Sequence, residues 1–117
     1  MTQTLTCATR HEGAVATVAV AGELDMSTVP ELQGALAEAL AGGPDLVVLD
    51  LRELRFLDSS GLRAVLAADR TARTNGHDFA VIRGPRSVHQ VFEITGMDKR
   101  LAIVAGEDGL PRQDGAA

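Results

Sequence analysis

Asp58, Ser59 and Ser60 stand in a row before Gly61 and Leu62, after a hydrophobic run and at the expected start of a helix. Two hydroxyls then sit where a helix exposes unpaired backbone N–H groups and the positive end of its dipole. That environment favours a phosphate, whether bound or covalently attached. By spacing alone the plainer reading is structural: Asp58 or Ser59 caps the helix and contributes about 1 kcal/mol. Yet a cap needs one such side chain, and three are present. Gly61 is a second peculiarity, because glycine costs about 1 kcal/mol relative to alanine inside a helix. Here it is expected to leave the backbone approachable, so that another protein's active site reaches the adjacent hydroxyl.

Other chemistries find little support. The nucleophile elbow is G-x-S-x-G, whereas this chain has Leu57-Asp58-Ser59-Ser60-Gly61. A serine nucleophile also needs a base, and His11, His77 and His89 are not tied to the serines by spacing. A small hydrolase using Ser59 or Ser60 is therefore the weakest reading, and no catalytic residue is assigned. The histidines are too widely spaced for a metal site, and Cys7 supplies no ligand pair. Neither G-x-x-x-x-G-K-[ST] nor G-x-G-x-x-G occurs, so no cofactor is expected. Asp25, Asp50 and Asp58 could converge at one end of a sheet, although a turn or cap role suits each of them better.

A second motif is Gly22-Glu23-Leu24-Asp25, at the end of one strand and before a helix. If its loop and the serine loop share a sheet edge, Asp25 becomes another fixed negative charge beside the hydroxyls.

The elements that must position these residues follow from periodicity. Residues 3–8 read as an edge strand, residues 10–13 as a turn, and residues 14–21 as a buried strand paired with the first in a hairpin. Thr28 and Glu31 have capping-box spacing, and Pro30 suits a first helical turn. Leu32, Ala35, Leu36, Ala39 and Leu40 then recur at helical spacing until Gly42-Gly43-Pro44. Residues 45–51 contain a continuous apolar run that suits a central strand. The second helix buries Leu62, Val65 and Leu66 and ends near Asn75-Gly76. A strand over 79–82 and a third helix follow; Ser87 and Gln90 have capping-box spacing, and Val88, Val91 and Phe92 form an inner face. Gly96 stops that helix, 101–104 form a last strand, and a flexible tail is expected over 106–117. Alternating strands and helices predict a single α/β domain over 1–105. Its mixed sheet has four to five strands, with helices packed mainly on one face.

Bulk properties fit a binding domain in the cytoplasm. At 117 residues the chain suits one domain, and 45% hydrophobic residues argue against disorder. Aromatic residues make up only 3%, which removes the stacking platforms that single-stranded nucleic acid needs. Eleven basic residues against 16 acidic ones give a net charge of -5, so nothing draws the chain to nucleic acid or anionic membranes. A lone cysteine suits a reducing compartment, no signal peptide is expected, and no apolar stretch reaches membrane-spanning length. No strongly apolar exposed stripe is evident, so a monomer is expected.

Gly22-Glu23-Leu24-Asp25, Leu49-Asp50-Leu51, Phe56-Leu57-Asp58-Ser59-Ser60-Gly61-Leu62, Pro85-Arg86-Ser87-Val88 and Thr95-Gly96 together resemble the STAS-domain anti-sigma factor antagonists of bacteria. The likeness runs from about Leu5 to Val104, and neither main motif departs from the family pattern. The resemblance implies a STAS-like fold and a partner-switching protein. Unphosphorylated, such a protein binds an anti-sigma factor that is also a serine kinase, and so releases the sigma factor. Phosphorylation breaks the complex, and a metal-dependent serine phosphatase restores it. The acceptor, the residue after the motif aspartate, maps onto Ser59. Ser60 would support the turn or cap the helix, and Glu23, Asp25, Asp58, Ser60 and Gly61 would lie on the partner-binding surface. An alternative implied by the same fold is a non-switching scaffold subunit of a larger signalling or transporter complex.

Overall fold

Strand β2 (Val15–Leu24) shows how the sheet is built. Ala16, Val18 and Val20 are buried on one face, as period-two alternation demands. The computed structural model describes residues 4–111. β1 (Leu5–Glu12) pairs antiparallel with β2, from Leu5 opposite Gly22 to Glu12 opposite Val15. The hairpin turn is therefore only Gly13 and Ala14, with Gly13 at φ 59°. Residues 10–12, expected in the turn, continue the ladder instead.

The remaining strands are parallel. α1 (Val29–Ala41) connects β2 to β3 (Leu46–Leu57), α2 (Ser59–Thr74) connects β3 to β4 (Asp78–Ile82), and α3 (Arg86–Ile94) leads to the short β5 (Ile103–Val104). The spatial order is the sequence order, β1-β2-β3-β4-β5, so the sheet is mixed. Successive right-handed crossovers that advance in one direction must place their helices on the same face. Accordingly Leu32 and Leu36 of α1, Leu62 and Val65 of α2, and Val88 and Phe92 of α3 share one core with Val47, Leu49 and Val81 of the sheet. On the other face Leu46, Val48, Ala80 and Ile82 form a smaller cluster, against which Leu110 packs.

β3 is the main departure from the expected elements. It runs on through residues 52–57, because Leu54 and Leu57 are buried beyond Leu51. Its register against β2 slips twice: Ala19 and Ala21 face Asp50 and Glu53, and Gly22 and Glu23 face Leu54 and Phe56. Each slip inserts an extra residue into β3, so its buried positions fall at 51, 54 and 57 and lose strict alternation.

Neither expected capping box forms. Thr28 and Pro85 are the N-caps of α1 and α3, and neither makes a side-chain cap hydrogen bond. The expected last strand shrinks to Ile103–Val104. Part of the expected tail lies outside the described residues. Within them, Glu107–Gly109 form a 3-10 turn, and Glu107 reaches Arg10 at 3.2 Å and Arg52 at 3.5 Å. Among the described residues no helix is long and apolar enough to cross a membrane.

Candidate functional site

The site lies where β2 and β3 end side by side. Leu24 pairs with Leu57, and the N–H of Asp58 donates to the Leu24 carbonyl at 3.4 Å. Parallel pairing thus brings the two sequence motifs to one sheet edge. α2 starts from that edge.

Asp58 is the helix cap. Its backbone is extended, at φ -108° and ψ -173°, and its carboxylate accepts from the Gly61 N–H at 3.0 Å. Of the three consecutive cap-type residues the aspartate satisfies the helix, and both serines are spared. Ser59 is exposed and Ser60 half-buried, and neither hydroxyl has a hydrogen-bond partner among the described residues.

Gly61 does not open the backbone to outside approach. It is buried, and a Cβ built there would lie 2.6 Å from the Leu24 carbonyl oxygen and 2.7 Å from Leu57 Cδ1. The glycine lets the first turn of α2 sit against the end of β2. It presents Ser59 by holding the helix close to the sheet.

Asp25 is likewise an organiser, not a surface charge. It is 7% exposed, and its carboxylate accepts from the Ser27 hydroxyl at 2.7 Å, the Ser27 N–H at 2.9 Å and the Thr28 N–H at 3.2 Å. The Thr28 hydroxyl accepts from the Asp25 N–H at 2.9 Å and donates to the Glu23 carbonyl at 2.8 Å. This closed loop explains why the Thr28 side chain does not cap α1. The Ser27 hydroxyl above all, helped by the Ser27 and Thr28 N–H groups and opposed by burial, holds the Asp25 carboxyl below its ordinary value.

Glu23 is half-buried, with its carboxylate 2.8 Å from the Arg55 guanidinium. Gly22 has φ 112°, and a side chain there would strike the Thr4 carbonyl, whose oxygen accepts from the Glu23 N–H at 3.0 Å. The glycine of the first motif therefore seats β1 against the site.

The three aspartates do not converge. Asp50 is eight residues back along β3 from Asp58, roughly 25 Å of strand, and binds Arg52 through both carboxylate oxygens at 3.0 and 2.8 Å. Burial pushes its carboxyl up, but hydrogen bonds and charge from Arg52 outweigh that and lower it. The histidines lie elsewhere: His77 Nδ1 meets the Pro44 carbonyl, and His89 lies 3.7 Å from Glu93. Among the described residues no group of three or more His, Cys, Asp or Glu side chains could hold a metal ion.

Sequence periodicity missed two residues. Met26 follows Asp25 and is 76% exposed, and Phe56 pairs with Glu23 and is 44% exposed. Both sit on the edge that carries Ser59. Phe56 points outward because the second register slip turns it away from the core, which no alternation pattern would show. This end of the sheet therefore carries a free hydroxyl on a helix start and, from the two strand ends beside it, two exposed apolar side chains. A protein surface can dock on that arrangement.

A family model described as "Mlab, STAS domain" matches residues 7–105. Over 93 residues the chain is 31% identical to the anti-sigma-F factor antagonist RsfB of Mycobacterium tuberculosis, spanning 80% of this chain and 75% of that protein. The anti-sigma-B factor antagonist of Staphylococcus aureus is 28% identical over 91 residues, 78% of this chain and 84% of that one. A crystal structure of an anti-sigma factor antagonist from Mycobacterium paratuberculosis superposes with a TM-score of 0.80 at 28% identity, covering 90% of this chain and 89% of the other.

Proposed function

This chain belongs to the STAS domain family of anti-sigma factor antagonists, and from that premise we propose that Ser59 is its phosphorylation switch. Unphosphorylated, the edge formed by Ser59, Met26 and Phe56 docks on an anti-sigma factor that is also a serine kinase, and the sigma factor is released. In the reverse step Ser59 Oγ attacks the γ-phosphorus of ATP. The Oγ–P bond forms, the bond to the β-phosphate oxygen breaks, ADP leaves, and the hydroxyl proton passes to a base on the kinase. A serine phosphatase resets the protein. In this reading the chain is a binding protein, not a catalyst.

The observation that carries the reading is the division of labour at the helix start. Asp58 supplies the cap, so Ser59 is exposed and free. A phosphate added there meets a helix N-terminus and leaves the scaffold intact. Its effect falls on the complex. It brings about -1.5 to -2 charges at neutral pH. At about 6 Å and an effective dielectric near 20, each unit like-charge pair across the interface costs about 3 kcal/mol before screening. That is about two decades in affinity.

Incubation with the cognate kinase and ATP, followed by mass-spectrometric mapping, tests the assignment. The phosphate should reside on Ser59, and Ser59→Ala should bind the kinase without being modified. Label confined to Ser60 would refute it.

A further inference from the structure

Resting on the reading of Ser59 as acceptor, we propose that Arg63 is the intramolecular partner of the Ser59 phosphate. The two residues are four apart on α2, with the anion N-terminal to the cation. That is the spacing and polarity at which helical ion pairs are favourable. Helical side chains also lean toward the N-terminus, which puts the turn that begins at Ser59 within reach of the Arg63 side chain.

The surrounding charges leave this pairing open. Arg55, the other cation near the motifs, is held by Glu23 at 2.8 Å. Of the nearby carboxylates, Asp58 accepts from Gly61 and Asp25 is taken up by Ser27 and Thr28. Arg63 is exposed and forms no ion pair among the described residues. It also heads a basic part of an otherwise acidic chain. Residues 59–100 carry seven Lys and Arg against four Asp and Glu, although the whole chain is at -5. A doubly charged group at Ser59 therefore has one free cation within a helical turn, and that cation has no competing partner.

The pairing gives the modification a second effect. Besides adding negative charge, the phosphate occupies a cation that the unmodified protein presents next to its docking edge. The phosphate also lies along the helix instead of projecting into solvent.

The test needs no kinase. Phosphoserine is placed at position 59 during translation, and the second ionisation of its phosphate is followed by phosphorus NMR in the full chain. With Arg63 present that ionisation should occur about 0.3 pH unit lower than in Arg63→Ala, a twofold change in proton affinity. Arg70→Ala, seven residues further along α2, should leave it where it is in the parent. An unchanged titration in Arg63→Ala, or an equal shift in Arg70→Ala, overturns the proposal. Because the phosphate is installed directly, either result stands apart from whether a kinase uses Ser59.

Discussion

The backbone N–H of Asp58 donates to the carbonyl of Leu24 at 3.4 Å, and this bond joins the two motifs of the chain. It places the cap of α2 against the end of β2. Asp25, the next residue after Leu24, then turns the chain into α1, and Ser59, the next after Asp58, opens α2 exposed.

The division of roles between Asp58 and Ser59 is measurable. Asp58→Ala should lower stability by about 1 kcal/mol through loss of the cap, whereas Ser59→Ala should change it by less than about 0.5 kcal/mol. Urea denaturation of both variants checks this. Equal losses would mean that the serine shares the capping.

Gly61 and Gly34 form a contrasting pair. Gly61→Ala places a methyl 2.6 Å from the Leu24 carbonyl oxygen and should destabilise by about 1–3 kcal/mol. Gly34 is exposed within α1, and a Cβ there meets nothing within 4 Å. Gly34→Ala should stabilise by up to about 1 kcal/mol. Thermal and urea midpoints of the two variants should move in opposite directions.

Acid should weaken the fold through Asp25. Its carboxyl is lowered from 3.8 in the native state, chiefly by the Ser27 hydroxyl, so the native state favours the ionised form. The contribution is complete above the ordinary value and disappears as pH falls through the lowered one. Asp50, lowered by Arg52 against the effect of burial, acts in the same direction. Asp25→Asn should therefore flatten the stability profile below about pH 4. Denaturation midpoints between pH 2 and 6 test it, and an unchanged slope would assign the acid sensitivity to other carboxylates.

Met26 and Phe56 should contribute to binding more than to folding. Phe56→Ala and Met26→Ala are each expected to weaken the complex with the cognate anti-sigma factor about tenfold, because buried aromatic and apolar anchors carry about 1 kcal/mol or more at interfaces. Denaturation midpoints should barely change. Calorimetry on the unphosphorylated protein decides, and full affinity in both variants would move the docking surface off this edge.

Much of this protein is legible in its residues taken in order. Leu46-Val47-Val48-Leu49 announces a covered central strand, the apolar spacing in α1, α2 and α3 announces amphipathic helices, and their alternation announces parallel crossovers on one face. The two motifs and their distance apart were enough to indicate the family. These features are local: periods of two and 3.6 are properties of a single segment.

Other features came from surfaces that meet across the sheet. By its motif Asp25 reads as a turn residue or a fixed charge beside the hydroxyls, whereas in the fold the Ser27 and Thr28 donors close around it. Gly61 is permissive by residue type, whereas in the fold Leu24 and Leu57 lie against it. β3 is short by alternation alone, whereas two register slips against β2 let Leu54 and Leu57 be buried out of period. Composition and motif determined that a hydroxyl, an acid and a glycine would stand together at a helix start. Which of them would cap, which would be sealed inward and which would face solvent depended on long-range strand pairing, because exposure belongs to the neighbours a residue acquires and not to the residue itself.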